Sequence, residues 1–346
     1  MSVQLGGILE GFKLLKRLGA GSFGETYYAE DMKTSEKFAI KIENIESHKK
    51  ILLSNERAIL EDLKGCRYAP AFFAAEVRQK YAFMAMDCLG PSLSKVMGVF
   101  GDLSLKTALR VGLHMLLALR ELHTHGYLHR DVKPSNFLVV PNRRTVVKVV
   151  DFGLSRKFID ENGDFIRVNN GFVGSLKYAS IYAHQRQEIT QRDDLLSWFY
   201  SLIELIRGKL PWSRVSSEKH ILRIKQNITV AKLCEKCPKQ FKSIYAYLRG
   251  LQEFETPNYY LIASFLLDAM HDHSVKWEDP YDWDYLTKKE LHGMTAISLA
   301  PVKGDLPDHP DLPKTMPAPV LPEKYNNLHE EVHQTFDGGC FRCSIC

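Results

Sequence analysis

A chain of 346 residues with 45% hydrophobic side chains is long enough for two packed units and apolar enough to fill a sizeable core. Its formal net charge of +5 is a mild excess, without a block of like charges long enough for a nucleic-acid-binding arm. No window reaches about 18 apolar residues without a charge, and the start MSVQLGGILEG lacks the charged-then-apolar layout of a secretory signal. The expectation is a soluble cytoplasmic chain whose seven cysteines are reduced thiols.

Residues 12–42 predict three strands. The first runs into a glycine loop, the second is ETYYAE, and the charged turn MKTSE leads to the third, KFAIKI. The loop, Leu18, Gly19, Ala20, Gly21, Ser22, Phe23 and Gly24, has the pattern GxGxxG. Glycines let backbone N–H groups approach an anion with no Cβ in the way. A dinucleotide-binding loop would open a helix, whereas the strand-like ETYYAE, with Thr26, follows here. That suits a loop folded over nucleotide phosphates; a glycine-rich hairpin without a ligand is the alternative.

On the third strand, period-two alternation turns Lys41 to the same side as Ala39, under the loop. A lysine pushed into such a site needs a counter-charge. Glu56 is the candidate, inside a helix predicted from about Ser47 to Leu63 and closed by Lys64 and Gly65. A surface lysine is the plainer reading of Lys41 taken alone. Two strands, AAEVR and YAFMAM, finish a small sheet.

From Ser104 the pattern becomes helical, with Ser104 as N-cap and Gly126 as stop of a helix apolar on nearly every side. LLSWFYSLIELI (195–206) is equally apolar, and both belong in the core of a second unit running from about Pro91 to Trp283. Residues 301–322 hold seven of the fifteen prolines, so 293–339 read as an extended, mostly disordered tail. The chain ends GGCFRCSIC. Cys343–Cys346 fits a prenylation box loosely, and Cys340 and Cys346 are acylation candidates; lipidation, a metal or disulfide role and an unmodified tail all stay open. Cys234 and Cys237 form a CxxC without a second pair, which argues against zinc.

Two segments carry most of the chemistry. HRDVKPSNF (129–137) crowds Asp131, Lys133 and Asn136 beside the apolar run FLVV, and VVDFGLS puts Asp151 at the end of a buried strand. Magnesium takes hard oxygen ligands, and the Asp151 carboxylate with the Asn136 amide oxygen would supply two. Asp131 is left to accept a hydrogen bond from an incoming hydroxyl, and Lys133 to sit near a transferring phosphate.

The glycine loop, AIK, HRDVKPSNF and DFG, in this order and at these separations, resemble the eukaryotic protein kinases over about residues 12–290. The resemblance implies an α+β bilobal kinase fold, with a β-rich N-lobe (about 12–89), a larger helical C-lobe (about 90–290) and a tail (291–346). It implies ATP with Mg²⁺, Lys41 on the α- and β-phosphates held by Glu56, Asp131 as catalytic base, and Asn136 and Asp151 on the metal. Met86 matches the gatekeeper and Asp87 to Leu89 the adenine-pairing hinge; Leu138, with Thr26 and Ala39, would complete the nucleotide pocket. Asp194 matches the acid that supports the catalytic loop, while His129 and Phe152 match a hydrophobic spine. Implied partners are proteins with Ser or Thr acceptors, met by a monomer; no nucleic acid is expected.

GSLKYASIYAH (174–184) replaces the usual Ala-Pro-Glu and resembles the casein kinase 1 superfamily, as do MDCLGPSL and RDDLLSWFYSL. Ser135 and DPYDWD (279–284) lean toward its tau-tubulin kinase-like branch. Gly174-Ser175 stands for the family's GT, Thr26 for its Val or Ile, and Tyr182 for its Asn. Family members hold an anion with a basic residue, here Lys177, and a second lysine after Leu-Pro-Trp. Lys209 and Arg214 flank that turn, but Ser216 and Ser217 stand where the second lysine is expected. A preference for acidic or phosphorylated substrates and a merely solvated basic face are both expectations. Lipid-anchored relatives add weight to membrane association through Cys340, Cys343 or Cys346. A kinase-fold scaffold recruiting partners is the alternative to an active enzyme.

Overall fold

The computed structural model describes residues 5–21, 24–45, 52–140, 147–167 and 171–287, and positions 310, 312, 313, 315–318, 320–322 and 324. The first part is an antiparallel sheet built from β1 (Ile8–Leu9), β2 (Phe12–Gly21), β3 (Gly24–Asp31), β4 (Lys37–Asn44), β5 (Phe72–Val77) and β6 (Tyr81–Asp87), in the order β1-β2-β3-β4-β6-β5. Helix α1 (Leu52–Asp62) belongs to this lobe. Its predicted start at Ser47 lies outside the described residues. β1 carries no sequence signal of its own: it is two residues paired with Phe12 and Lys13.

Alternation along the strands separates two faces. Phe12, Phe38 and Phe83 meet edge-on on one, with ring centroids 5.6 and 6.3 Å apart. The other face carries Ala39 and Lys41 opposite Met86 and Met84 of β6, and Thr26 of β3 opposite Lys41. These side chains therefore turn together toward the second lobe, as a period of two requires.

The second lobe contains α2 (Leu93–Phe100), α3 (Leu105–Thr124), β7 (Tyr127–Leu128), β8 (Phe137–Val139), β9 (Val147–Val149), β10 (Arg156–Lys157), α4 (Ile181–His184), α5 (Gln191–Arg207), α6 (Glu218–Asn227), α7 (Val230–Leu233), α8 (Gln240–Gly250) and α9 (Tyr259–Asp272). β7 pairs with β10 and β8 with β9, both antiparallel. The apolar runs FLVV and VKVV thus become the short hairpin under the cleft. Ser104 caps α3, its hydroxyl accepting from Thr107 N. Gly112 lets α5 approach α3 closely: a Cβ there would lie 2.8 Å from Leu202 Cδ1, and Trp198 Nε1 donates to its carbonyl at 2.9 Å. Buried side chains such as Trp198 and Phe199 each stabilise the packing by about 1.5–3 kcal/mol.

DPYDWD closes this lobe by binding the start of α3. Fully buried Arg110 donates to the carbonyls of Trp277 and Asp279 at 2.9 and 2.6 Å and lies 3.9 Å over the Tyr281 ring. Asp282 accepts from Ser104 N at 2.7 Å and Ser104 Oγ at 2.5 Å. Beyond it, some described positions of the segment expected as a disordered tail meet the lobes. Leu312, Met316 and Leu321 pack half-buried against the main core, and Lys324 Nζ meets Glu255 Oε1 at 2.6 Å. Cys340, Cys343 and Cys346 lie outside the described residues.

Candidate active site

Between the lobes lies a cleft of about 780 Å³. From the sheet come Leu18, Gly19, Ala20, Gly24, Thr26, Ala39 and Lys41, from α1 Glu56, and from the end of β6 and the link after it Met86, Asp87 and Leu89. The floor supplies Asp131, Lys133, Asn136, Leu138 and Asp151. The nominated catalytic and nucleotide-binding residues among those whose surroundings are described therefore share one cavity; Ser22 and Phe23 lie outside the described residues, and Gly21 ends β2.

Lys41 projects from β4 between two carboxylates. Its Nζ lies 2.6 Å from Glu56 Oε2 and 2.9 Å from Asp151 Oδ1. Burial alone pulls an ammonium down, but Glu56 and Asp151 outweigh it and hold Lys41 above the ordinary lysine value. Burial likewise pushes the Asp151 carboxyl up, and the Lys41 ammonium overrides it, leaving Asp151 below the usual carboxylate range. Asp151 stands at φ 69°, a left-handed conformation that L side chains adopt at some cost. It is held there from both sides. Phe152 is fully buried with its ring 5.7 Å from that of His129, and Asn55 of α1 donates to the carbonyls of Phe152 and Ser155 at 3.3 and 3.0 Å. α1 and the DFG turn are thereby tied together, which keeps Glu56 facing Lys41.

The catalytic-loop segment is shaped by one buried acid. Asp194, at the start of α5, accepts the backbone N–H of His129 at 2.7 Å and of Arg130 at 2.8 Å, and His123 Nε2 lies 2.9 Å away. Burial pushes its carboxyl up, and His123 with these donors brings it below the usual range. In the loop so held, Lys133 Nζ reaches Asp131 Oδ2 at 2.5 Å and donates to Ser175 Oγ at 3.1 Å. Asp131 Oδ1 is buried without a hydrogen-bond partner. Asn136 Nδ2 donates to the Asp131 carbonyl at 2.9 Å, so its other end is the acceptor oxygen.

The wall facing Asp131 adds Phe172 and Val173, which no sequence signal marked, to Gly174 and Ser175 at the head of the GSLKYASIYAH segment. Gly174 has φ 92°, and a Cβ there would meet the Arg130 carbonyl at 2.3 Å and Asp131 Oδ1 at 3.4 Å. Only glycine lets this strand of chain pass so close to the acid. Lys95 also lines the cleft, its ammonium donating to the Leu18 carbonyl at 3.2 Å. The Asp87 carboxylate accepts from Ala71 N at 2.9 Å and Lys148 Nζ at 2.7 Å.

Lys177 forms an ion pair with Glu204 of α5, which also accepts from Tyr178 OH at 2.5 Å. Among the described residues no cluster of three or more His, Cys, Asp or Glu could hold a metal by itself. Asp151 and Asn136 offer hard oxygens, a set that fits Mg²⁺ completed by phosphate oxygens and water.

A model of the protein kinase domain matches residues 12–267. Over 289 residues the chain is 34% identical to a Dictyostelium discoideum protein named "Probable serine/threonine-protein kinase", covering 82% of this chain and 58% of that protein. Over 284 residues it is 34% identical to "Serine/threonine-protein kinase spe-6" of Caenorhabditis elegans, covering 79% of this chain and 75% of that protein. The alignment thus spans a little over half of the first relative and three quarters of the second.

Proposed function

The chain belongs to the protein kinase domain family, and on that premise we propose that it transfers the γ-phosphoryl group of Mg-ATP to serine or threonine hydroxyls of protein substrates. The observation that carries the reading is the pairing of a complete Glu56–Lys41–Asp151 chain with an unpartnered oxygen on Asp131, all in one cleft. Lys41 binds the α- and β-phosphates, and Glu56 fixes its direction. Asp131 Oδ1 accepts the hydroxyl proton of the acceptor as the new oxygen–phosphorus bond forms and the bond to the departing ADP breaks. Lys133, held on Asp131 and Ser175, faces the charge that builds on the phosphoryl oxygens. Asn136 and Asp151 would hold the metal, which would supply neutralisation of phosphate charge. Positioning and charge neutralisation account for the catalysis.

The finer assignment is to the casein kinase 1 superfamily, nearest its tau-tubulin kinase-like branch. Tyr178-Ala179-Ser180-Ile181 in place of Ala-Pro-Glu supports it, together with DPYDWD bound to Arg110. A preference for acidic or phosphorylated acceptors rests on Lys177, and its pairing with Glu204 leaves that charge largely answered within the protein. The chain works as a cytoplasmic monomer, with the tail cysteines as the candidate membrane attachment. No helix among the described residues is long and apolar enough to cross a membrane.

The test is phosphate transfer from labelled Mg-ATP to dephosphorylated casein by wild type, Asp131→Asn and Asp151→Asn. Transfer by wild type that both variants lose supports the reading. Wild-type transfer no greater than that of the variants, across several protein substrates, overturns it in favour of a kinase-fold scaffold.

A further inference from the structure

Lys225 of α6 is a lysine with almost no contact with water: it is 1% exposed. Its Nζ donates to the carbonyls of Leu176 at 3.0 Å and Ala179 at 2.6 Å and lies 3.2 Å from His184 Nε2. The rings of Trp212 and Tyr200 flank it at 5.0 and 5.2 Å. The amine and the ammonium both carry at least two N–H donors, so either form satisfies the two carbonyls. His184 Nδ1 faces Glu218 Oε1 at 3.4 Å, and Glu218 in turn pairs with Arg186 at 2.9 Å.

Burying an ammonium is costly, and a well-packed apolar side chain would fill the same space without that cost. An apolar side chain could not satisfy the carbonyls of 176 and 179, which would be left unpaired. The carbonyl between them, that of Lys177, is met by Trp212 Nε1 at 2.7 Å. Two side chains from residues 212–225 therefore take three carbonyls of one short segment from behind. Its front continues into Ser175, whose hydroxyl binds Lys133, and Gly174, which passes beside Asp131 Oδ1. The Ser175 carbonyl accepts from Tyr178 N and Ala179 N at 3.0 and 3.1 Å, which makes the segment one folded unit.

We propose that Lys225 is a positioning residue for the protein substrate: with Trp212 it pins residues 176–179 from behind, and so sets the wall against which an acceptor segment lies in front of Asp131. This rests on the kinase reading above. Ala-Pro-Glu is absent here, and side-chain donors to backbone carbonyls anchor the segment. Nucleotide contacts are made by other elements, so the effect falls on the protein acceptor and not on ATP.

The experiment compares the full-length wild type with Lys225→Met, Lys225→Arg and Trp212→Phe, using dephosphorylated casein as acceptor. Thermal melts establish folding. The expected result is a KM for casein raised about tenfold or more in Lys225→Met, with the KM for ATP within about twofold of wild type. Lys225→Arg, which keeps donors and charge, recovers part of the loss. A folded Lys225→Met with wild-type casein KM overturns the proposal, as does a parallel rise in both KM values. Should Lys225→Met fail to fold, Trp212→Phe decides, because it removes a single donor; an unchanged casein KM there overturns the proposal. Should wild type bind nucleotide yet transfer nothing, the kinase reading fails and the pinning itself is read by amide hydrogen exchange. Faster exchange at residues 176–180 in Lys225→Met or Trp212→Phe than in wild type upholds the anchor, and unchanged exchange overturns it.

Discussion

The ammonium of Lys133 lies 2.5 Å from Oδ2 of Asp131 and leaves Oδ1 of the same carboxylate buried without a partner. One carboxylate therefore has two ends with different duties, one engaged by Lys133 and one without a partner in the protein. Asp131→Asn keeps the shape and removes the basic oxygen. We expect kcat to fall by about 10²–10⁴ with nucleotide binding retained, measured by single-turnover transfer and fluorescent-nucleotide titration. Transfer at the wild-type rate by Asp131→Asn sinks its assignment as base.

The Lys41–Asp151 contact predicts the acid limb of stability. Asp151 titrates below the ordinary aspartate value of 3.8, so its contribution is present above that pH and is lost as pH falls through the lower folded value. Lys41 titrates above 10.5, so its contribution is fully present below that pH and is lost as pH rises through the higher folded value. Lys41→Met removes the attraction and should shift acid unfolding to higher pH, followed by circular dichroism between pH 2 and 6. Coincident acid transitions for the two proteins would count against the pairing.

Asp194 answers three donors from full burial. Asn in its place offers one acceptor oxygen and leaves buried N–H groups unpaired. Asp194→Asn should cost on the order of 3 kcal/mol, read from urea midpoints, and lower phosphate transfer through a loosened catalytic loop. A loss of stability under about 0.5 kcal/mol would be incompatible with this role.

Burial pulls Lys225 down from 10.5 to about 7. Below that lower value the folded and unfolded chains both hold the proton. From about 7 to 10.5 the unfolded chain binds it more tightly, so this residue makes stability rise with pH across the window and fall again as pH drops. Urea midpoints at successive pH values should show a shallower rise in Lys225→Met than in wild type. Parallel curves would show that the proton is not released in this range.

The tail contributes through Leu312, Met316 and Leu321, half-buried on the main core. Ending the chain before Pro310 should lower stability by roughly 1–3 kcal/mol from lost apolar burial, with little from the exposed Lys324–Glu255 pair. Equal thermal midpoints for full-length and shortened chains would show that this docking contributes nothing.

Much of the site was legible in the chain because its chemistry sits in short, contiguous motifs. Lys41 follows from strand alternation, Asp131, Lys133 and Asn136 from one nine-residue stretch, and Asp151 from the end of an apolar strand. Ser104 was readable as a cap because a cap acts on amides within its own turn. The glycine loop, too, could be told from a dinucleotide site by the strand after it.

What remained hidden depends on residues far apart in sequence. Nothing local marks Lys225 as different from its neighbour Arg223, yet the fold buries it under residues 176–184. Lys177 read as a free cation until α5 brought Glu204 to it. Prolines at 301–322 forbid helix and inner strand, and that much is local, because a missing N–H and a fixed φ act on the chain's own backbone. Whether Leu312 or Met316 finds a surface to cover is settled by the core alone. Elements and reactive groups were set by near-neighbour stereochemistry and hydrogen bonding, which the sequence carries directly. Partners, burial and the charge each group feels arise from long-range packing, and only the tertiary structure decided them.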